Sequence, residues 1–232
     1  MPERTVIKIC GLTREIDVKR TLEYGADFFG FIAYEPSPRG IGLARASDLA
    51  ALVPRDRRVL VDVAPSVEKI AEFKAHGFDF FQIHSDASTD ESTLKAWSEV
   101  VGVSKLWLAP RLKPEEAFPE HFLPYANTFL VDTYSSQQVG GTGLTGDWGR
   151  FAKWQETYAA KQWILAGGLC PDNVVQAIGE TGADRIELYT EPFAEAFKAD
   201  GRRWGAATEA SLATFRAAAE TAQGLGLGVN AG

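Results

Sequence analysis

Two kinds of segment alternate along the whole chain. Short runs rich in β-branched and aromatic residues predict eight strands, at 5–10, 27–33, 58–63, 79–84, 103–109, 127–132, 162–166 and 184–189. Amphipathic segments between them predict helices near 14–24, 44–53, 66–76, 90–100, 113–121, 148–159, 172–181 and 207–223. Strands separated by helices pair in parallel, and eight such units fit a (β/α)8 barrel of about 250 residues.

The rival architecture is a doubly wound open sheet. Such a sheet usually has fewer strands and an early Gly-x-Gly-x-x-Gly turn, and the chain has neither feature. We therefore predict one α/β domain, a single (β/α)8 TIM barrel over residues 1–223. A Gly-rich tail, 224–232, follows it, and we expect this tail to be loosely held or disordered.

Composition narrows the possible partners. The chain has 232 residues, 45% of them hydrophobic, and a formal net charge of −7 without a basic run, so we expect no nucleic-acid partner. Its two cysteines, Cys10 and Cys170, are too few for a disulfide framework and lack a zinc spacing. Without an apolar signal region or a membrane-length apolar run, we expect a cytoplasmic protein with no membrane partner. Monomer and homodimer both remain open.

Polar residues stand near the ends of the predicted strands. The carboxyl ends of barrel strands meet on one face, where α/β barrels carry their active sites. The candidates on that face are Cys10, Asp62, His84, Arg111, Asp132 and Glu187, with Arg39 on the loop after the second strand. Each also has a structural reading: a thiol can be a core residue, Asp62 can cap a helix starting at 65–66, and a histidine can be a hydrogen-bonded group at the core edge.

Two glycine motifs lie on neighbouring loops of the same face. One, 140–143, is in the longest loop, 133–147, whose length is typical of lids; the other, 166–169, precedes a helix start at 171–173. Glycines let backbone N–H groups approach an anion, and a helix N-terminus favours negative charge. Either motif alone could simply form a turn, but the pair favours a phosphate site.

Collinear segments over residues 5–181 resemble the phosphoribosylanthranilate isomerase family of tryptophan biosynthesis. They are Lys8-Ile-Cys-Gly-Leu-Thr13, Gly25-Ala-Asp, Gly30-Phe-Ile, Ser37-Pro-Arg39, Gln82-Ile-His84, Val131-Asp-Thr133, Gly140-Gly-Thr-Gly143, Asp147-Trp148, Leu165-Ala-Gly-Gly-Leu169 and Pro171-Asp-Asn-Val174. The resemblance implies a (β/α)8 barrel. It also implies an Amadori rearrangement of N-(5-phosphoribosyl)anthranilate to 1-(2-carboxyphenylamino)-1-deoxyribulose 5-phosphate, with no metal or organic cofactor.

The resemblance also implies roles for individual residues. Cys10 would be the general base and Asp132 the general acid, while Arg39 would face the anthranilate carboxylate. The residues expected to contact this small phosphorylated substrate further include His84, Gly141, Thr142, Gly143, Gly167, Gly168 and Glu187. A nearby cation favours thiolate formation, and Lys8 is close in sequence, but its side-chain direction is open.

The chain departs from the family after the eighth strand. The family's Ser-Ser-Gly is absent from 187–192, Glu187 stands where the family has Asp, and Glu191 would place negative charge near the phosphate. Segments 182–194 and 225–232 instead resemble pyridoxine 5′-phosphate synthase, without that family's histidine motifs. Two alternatives therefore stay open: a weakly active or non-catalytic barrel that binds a phosphorylated ligand, and a pyridoxine 5′-phosphate synthase-like enzyme.

Overall fold

Eight parallel strands close into a barrel. The computed structural model describes residues 5–23, 25–132, 147–169 and 173–189. The strands are β1 Val6–Cys10, β2 Phe28–Ile32, β3 Arg58–Val63, β4 Phe80–Asp86, β5 Leu106–Arg111, β6 Thr128–Val131, β7 Gln162–Leu165 and β8 Arg185–Tyr189. Each strand pairs with the next, and β8 pairs with β1. The predicted fold class and all eight predicted strands are confirmed.

Helices connect most of the strands. In the described part of the chain they are α1 Glu15–Glu23, α2 Leu43–Ala50, α3 Val67–Ala75, α4 Glu91–Val101, α5 Trp148–Thr157 and α6 Val174–Thr181, with a short 3₁₀ segment at Arg55–Arg57. Ser66, Asp90 and Asp147 each accept a hydrogen bond from a backbone amide of the following first turn. These caps satisfy amides that have no partner within a helix, so the local sequence fixes where three of the helices begin.

The helix predicted at 113–121 is wrong. A 3₁₀ segment, Glu120–Tyr125, connects β5 to β6 instead. The Arg150 guanidinium donates to the backbone oxygens of Lys113, at 2.8 Å, and Pro114, at 2.7 Å, and also to that of Glu116. These backbone oxygens accept hydrogen bonds from Arg150 instead of from the amides of a local helix. In addition, Pro119 and Pro124 lack the amide donors that a helix needs.

Apolar side chains form two layers on either side of the strands. The outer layer packs strands against helices and includes Trp97, Phe129 and Trp163. The inner layer fills the barrel and consists of Cys10, Ile32, Val59, Val61, Trp107, Ala109, Leu130, Ile164 and Ala166. Because side chains alternate along a strand, Lys8 faces the same interior as Cys10.

The described part does not reach the end of the chain. The predicted helix at 207–223, the tail at 224–232 and the predicted lid loop at 133–147 (except Asp147) lie outside the described residues. Within the described ranges, no helix is long and apolar enough to cross a membrane.

Candidate active site

The barrel interior contains charged groups on β1 and β8. Lys8 is 1% exposed, Glu187 is 1% exposed and Cys10 is fully buried. Lys8 pairs directly with Glu187 in the β1–β8 register, and its Nζ lies 2.5 Å from Oε2 of that carboxylate. Two buried opposite charges at this distance compensate part of the cost of removing each from water. The pair therefore places a cation inside the barrel, one layer below Cys10.

A hydrogen-bond chain links Glu187 to β4. Gln82 Nε2 donates to Glu187 Oε1 at 3.4 Å and lies 3.1 Å from His84 Nε2. Burial lowers the pKa of His84 to about 4, and the positive charges of Lys8 and Arg111 act in the same direction. His84 is therefore neutral near pH 7, and its Nε2 accepts the proton of the Gln82 amide.

The Cys10 thiol lies among three charges. Burial raises its pKa to about 11 and the negative charge of Glu187 contributes to the rise, whereas Lys8 and Arg39 act to lower it. Arg39, on the loop after β2, is 9% exposed. The pKa of Lys8 is raised even though burial lowers it, because the charges of Cys10 and Glu187 favour the ammonium form. The thiol is therefore protonated at neutral pH.

Gly30 gives the thiol and the ammonium their space. It is the β2 partner of Cys10 in the strand register. A Cβ atom at Gly30 would lie 2.9 Å from Cys10 Sγ and 3.0 Å from Lys8 Nζ. Both contacts are closer than ordinary van der Waals separation, so the missing side chain is what lets the two groups share one region.

Asp132 is at the rim of the barrel rather than in its interior. It follows β6, is half-buried, and lines a cavity of about 180 Å³ with Leu130, Arg150 and Trp154 among its other walls. Cys10 does not line this cavity. Both residues thus lie at the carboxyl ends of their strands, on the same face of the barrel. Cys10 belongs to the inner layer, whereas Asp132 lies at the rim.

The two described glycines after β7 have left-handed backbone conformations. Gly167 and Gly168 have φ values of 86° and 63°, a conformation that favours glycine. The side-chain amide of Asn173, next to the start of α6, donates to the Gly168 backbone oxygen at 2.9 Å. The other predicted glycine-loop residues, Gly141, Thr142 and Gly143, lie outside the described residues.

Two other strand-end candidates, Asp62 and Arg111, interact with groups other than the thiol. Asp62 Oδ2 is 2.7 Å from Lys69 Nζ, and its Oδ1 accepts from the amide of Val63. Ser66, not Asp62, caps α3, so the capping interpretation of Asp62 is wrong; the carboxylate instead anchors the first turn of that helix. Arg111 ends β5, and its positive charge acts on His84.

Sequence reasoning left the side-chain direction of Lys8 open and did not identify Gln82 as a member of this cluster. Both are polar residues inside otherwise apolar strands, and both sit two positions before a predicted site residue, Cys10 and His84. The two-residue period of a strand places such pairs on one face. This period could have predicted that Lys8 shares a face with Cys10, and Gln82 with His84. It could not have predicted the contact with Glu187, which depends on closure of the barrel.

The fold and this cluster define the class: a (β/α)8 barrel with a polar, titratable site toward the carboxyl ends of its strands. The family model described as N-(5'phosphoribosyl)anthranilate (PRA) isomerase matches residues 7–188. The chain belongs to this family. A second model, described as pyridoxal phosphate biosynthesis protein PdxJ, matches residues 170–232. Both resemblances found in the sequence are thereby confirmed.

Individual relatives agree with the family match. An N-(5'-phosphoribosyl)anthranilate isomerase of Bordetella avium is 37% identical over 185 residues, which span 75% of this chain and 80% of that protein. Its counterpart from Synechococcus sp. is 31% identical over 188 residues, spanning 78% and 84%. The crystal structure of phosphoribosyl anthranilate isomerase from Thermotoga maritima superposes with a TM-score of 0.74 at 25% identity, covering 94% of this chain and 99% of that one.

Proposed function

We propose that the chain isomerises N-(5'-phosphoribosyl)anthranilate to 1-(2-carboxyphenylamino)-1-deoxyribulose 5-phosphate. The observation that carries the proposal is the buried Cys10 thiol at the end of β1, flanked by the positive charges of Lys8 and Arg39, in a barrel of this family. The reaction moves protons and opens a ring, so positioned acid and base groups are its main chemical requirement.

Asp132 is the proposed general acid. Its carboxyl proton goes to the furanose ring oxygen as the bond between that oxygen and C1′ breaks, and the nitrogen lone pair forms the C1′ iminium. A carboxyl group at the barrel rim, half-buried beside apolar walls such as Leu130 and Trp154, is suited to that step. Asp132 is left as the carboxylate.

Cys10 is the proposed general base. Its thiolate takes the proton from C2′, and the C–H electron pair neutralises the iminium to give an enolamine. The enolamine becomes the ketone when the O2′ proton is lost and C1′ gains one, so the product is an isomer of the substrate. Because burial raises the pKa of the thiol to about 11, Cys10 must first release its own proton to water, and the cationic iminium beside it favours that release.

The remaining contacts recognise the two anionic ends of the substrate. Arg39 offers a planar donor fork suited to the anthranilate carboxylate. The backbone amides near Gly167 and Gly168, before α6, suit the phosphate, as do the glycines of 141–143. His84, as a neutral imidazole, and Glu187 would face the ribose hydroxyls.

The partner implied by these roles is a small phosphorylated substrate. A base that must remain a free thiol also favours a reducing compartment such as the cytoplasm.

Turnover of freshly generated phosphoribosylanthranilate tests the proposal, since loss of anthranilate fluorescence follows its conversion. We expect a rate proportional to protein concentration and above the spontaneous decay. Asp132→Asn should lower it by about 100-fold or more, the usual contribution of a general acid. Asp86→Asn, at the exposed end of β4, is the matched control and should keep the wild-type rate.

Absence of turnover at high protein concentration would overturn the isomerase assignment. Binding of reduced 1-(o-carboxyphenylamino)-1-deoxyribulose 5-phosphate, an unreactive analogue of the product, would then favour a barrel that holds a phosphorylated ligand without catalysis. Formation of pyridoxine 5′-phosphate by condensation would instead favour a pyridoxine 5′-phosphate synthase-like enzyme. The second family match is the reason to test this alternative.

A further inference from the structure

Lys8 faces two groups that carry or can acquire negative charge. Its Nζ bonds Glu187 Oε2 at 2.5 Å, and Nζ and Cys10 Sγ border the same point beside Gly30, 3.0 Å and 2.9 Å from it. Lys8 and Cys10 lie two residues apart on β1 and so point to the same side of the strand. One ammonium group is therefore within reach of both a carboxylate and the proposed base.

We infer that Lys8 is a positioning residue that stabilises the Cys10 thiolate during proton removal, and that Glu187 limits how much of the Lys8 charge reaches the sulfur. The inference rests on the proposed isomerase function. Lys8 is bound to Glu187, and the thiol carries its proton at neutral pH. When C2′ gives its proton, a donor of Lys8 is already beside the sulfur, so little reorganisation is required.

The other elements around Cys10 add few competing charges. Arg39, after β2, is positive and acts with Lys8, whereas His84 on β4 is neutral because burial lowers its pKa to about 4. At the level of the thiol the interior positions of β3 and β5 carry Val61 and Ala109, and Ala166 directly follows β7. On β6 the interior position is Leu130, and the rim residue Asp132 directly follows the strand. The balance at the sulfur is thus set mainly by Lys8, Arg39 and Glu187.

The alternative is that the Lys8–Glu187 pair serves only to keep the core neutral. A pair with only that role would change the free energy of unfolding when mutated, but would leave kcat and the pH dependence of kcat/KM unchanged. The ionisation midpoint of Cys10 therefore measures the charges that act on the sulfur, and the rate of catalysis shows whether the reaction uses them.

The test is a pH titration by NMR of protein labelled with ¹³C at cysteine Cβ, with Cys10 assigned through Cys10→Ser. Glu187→Gln should lower the Cys10 midpoint by about one pH unit or more, the usual size for removal of a close like charge. Lys8→Met should raise it. Lys69→Met, which removes the cation of the Asp62 pair outside the barrel, is the matched control and should leave the midpoint unchanged.

Catalysis gives the second readout. The rising limb of kcat/KM against pH should move to lower pH in Glu187→Gln, and Lys8→Met should lower kcat by about 10-fold or more, as expected when a charge partner of the base is lost. Because Lys8→Met leaves a buried carboxylate unpaired, it could fail to fold; Lys8→Met/Glu187→Gln keeps the interior neutral. The double variant should then show the low kcat.

Opposite shifts of the Cys10 midpoint, together with the low kcat of the double variant, support the inference. Unchanged midpoints, shifts in the same direction, or full kcat in the double variant would overturn it. The two proposals fail separately: wild-type turnover with unresponsive midpoints removes only the role of Lys8. Opposite shifts in a protein without turnover remove the isomerase function, and with it the assignment of Lys8 to that reaction.

Discussion

At the scale of single residues, the site depends on a balance between burial and charge at one sulfur atom. Burial favours the neutral Cys10 thiol, and Glu187 reinforces it, while Lys8 and Arg39 oppose both. The proposed base is therefore protonated at neutral pH, and a cationic intermediate beside it favours release of its proton. A resting thiol is also less reactive toward oxidants than a thiolate.

Gly30→Ala tests the crowding at this sulfur. The added methyl carbon would lie 2.9 Å from Cys10 Sγ and 3.0 Å from Lys8 Nζ, which is closer than van der Waals contact, so both groups must move. Displacing a reacting group by a fraction of an ångström to an ångström costs roughly 10- to 100-fold in kcat/KM. Gly42→Ala, where an added Cβ has no atom within 4 Å, is the control and should retain activity in the same fluorescence assay.

The protonation of His84 should make folding sensitive to acid. Its pKa is about 4 in the folded chain because of burial, against an ordinary value near 6.5 when unfolded. Its contribution to stability is therefore complete above about pH 6.5 and is lost as the pH falls toward 4. Urea unfolding at pH 7, 5.5 and 4.5 measures this loss. The free energy of unfolding of His84→Gln should fall less between pH 7 and 4.5 than that of the wild type.

His76→Gln removes an exposed histidine and is the control for that series. It should keep the wild-type dependence of unfolding free energy on pH. An equally steep loss of stability in His84→Gln and the wild type would mean that His84 is not held neutral by the fold.

At the scale of elements, Arg150 decides the form of the β5–β6 connection. From the first turn of α5 it donates to three backbone oxygens of the connection, and its guanidinium lies 4.5 Å from the centre of the Trp154 ring. One side chain therefore replaces the hydrogen bonds that a helix would have made itself. The connection is tied to α5, next to the cavity that Asp132 lines.

Arg150→Ala should lower the free energy of unfolding by about 1–3 kcal/mol, because several carbonyls lose a charged donor at once. Lys153→Ala, on an exposed position of the same helix, should change it by less than about 0.5 kcal/mol. Urea denaturation of the three proteins makes the comparison. Equal stability of the two variants would contradict the role given to Arg150.

The same element separates what the sequence pattern predicts from what it does not. Apolar runs such as Val6–Cys10 and Leu106–Arg111 identify the strands because a barrel strand is buried on both faces. The helical periodicity at 113–121 predicts a helix that does not form. The pattern of local residues contains no information about the hydrogen bonds that the distant Arg150 makes to this segment. The positions of Cys10 and His84 toward the carboxyl ends of their strands were predictable from these apolar runs. The contact between Lys8 and Glu187, 179 residues apart, was not, because it depends on the closing register of the barrel.

At the scale of the whole molecule, β8 both closes the barrel and completes the site. It pairs with β1 at five positions, Val6 to Cys10, and with β7 at Leu165. The two family matches overlap at 170–188, which includes α6 and most of β8. Glu187, in that overlap, supplies the carboxylate opposite Lys8, so the part of the chain shared by both resemblances sets the charge beside the proposed base.

The most direct test of this account is the rate at which Cys10→Ala consumes phosphoribosylanthranilate, compared with the wild type at equal folded concentration. The account predicts a rate at least about 100-fold lower, since the methyl group cannot accept the C2′ proton, with an unfolding midpoint close to that of the wild type. A Cys10→Ala protein that turns over substrate at the wild-type rate would contradict it.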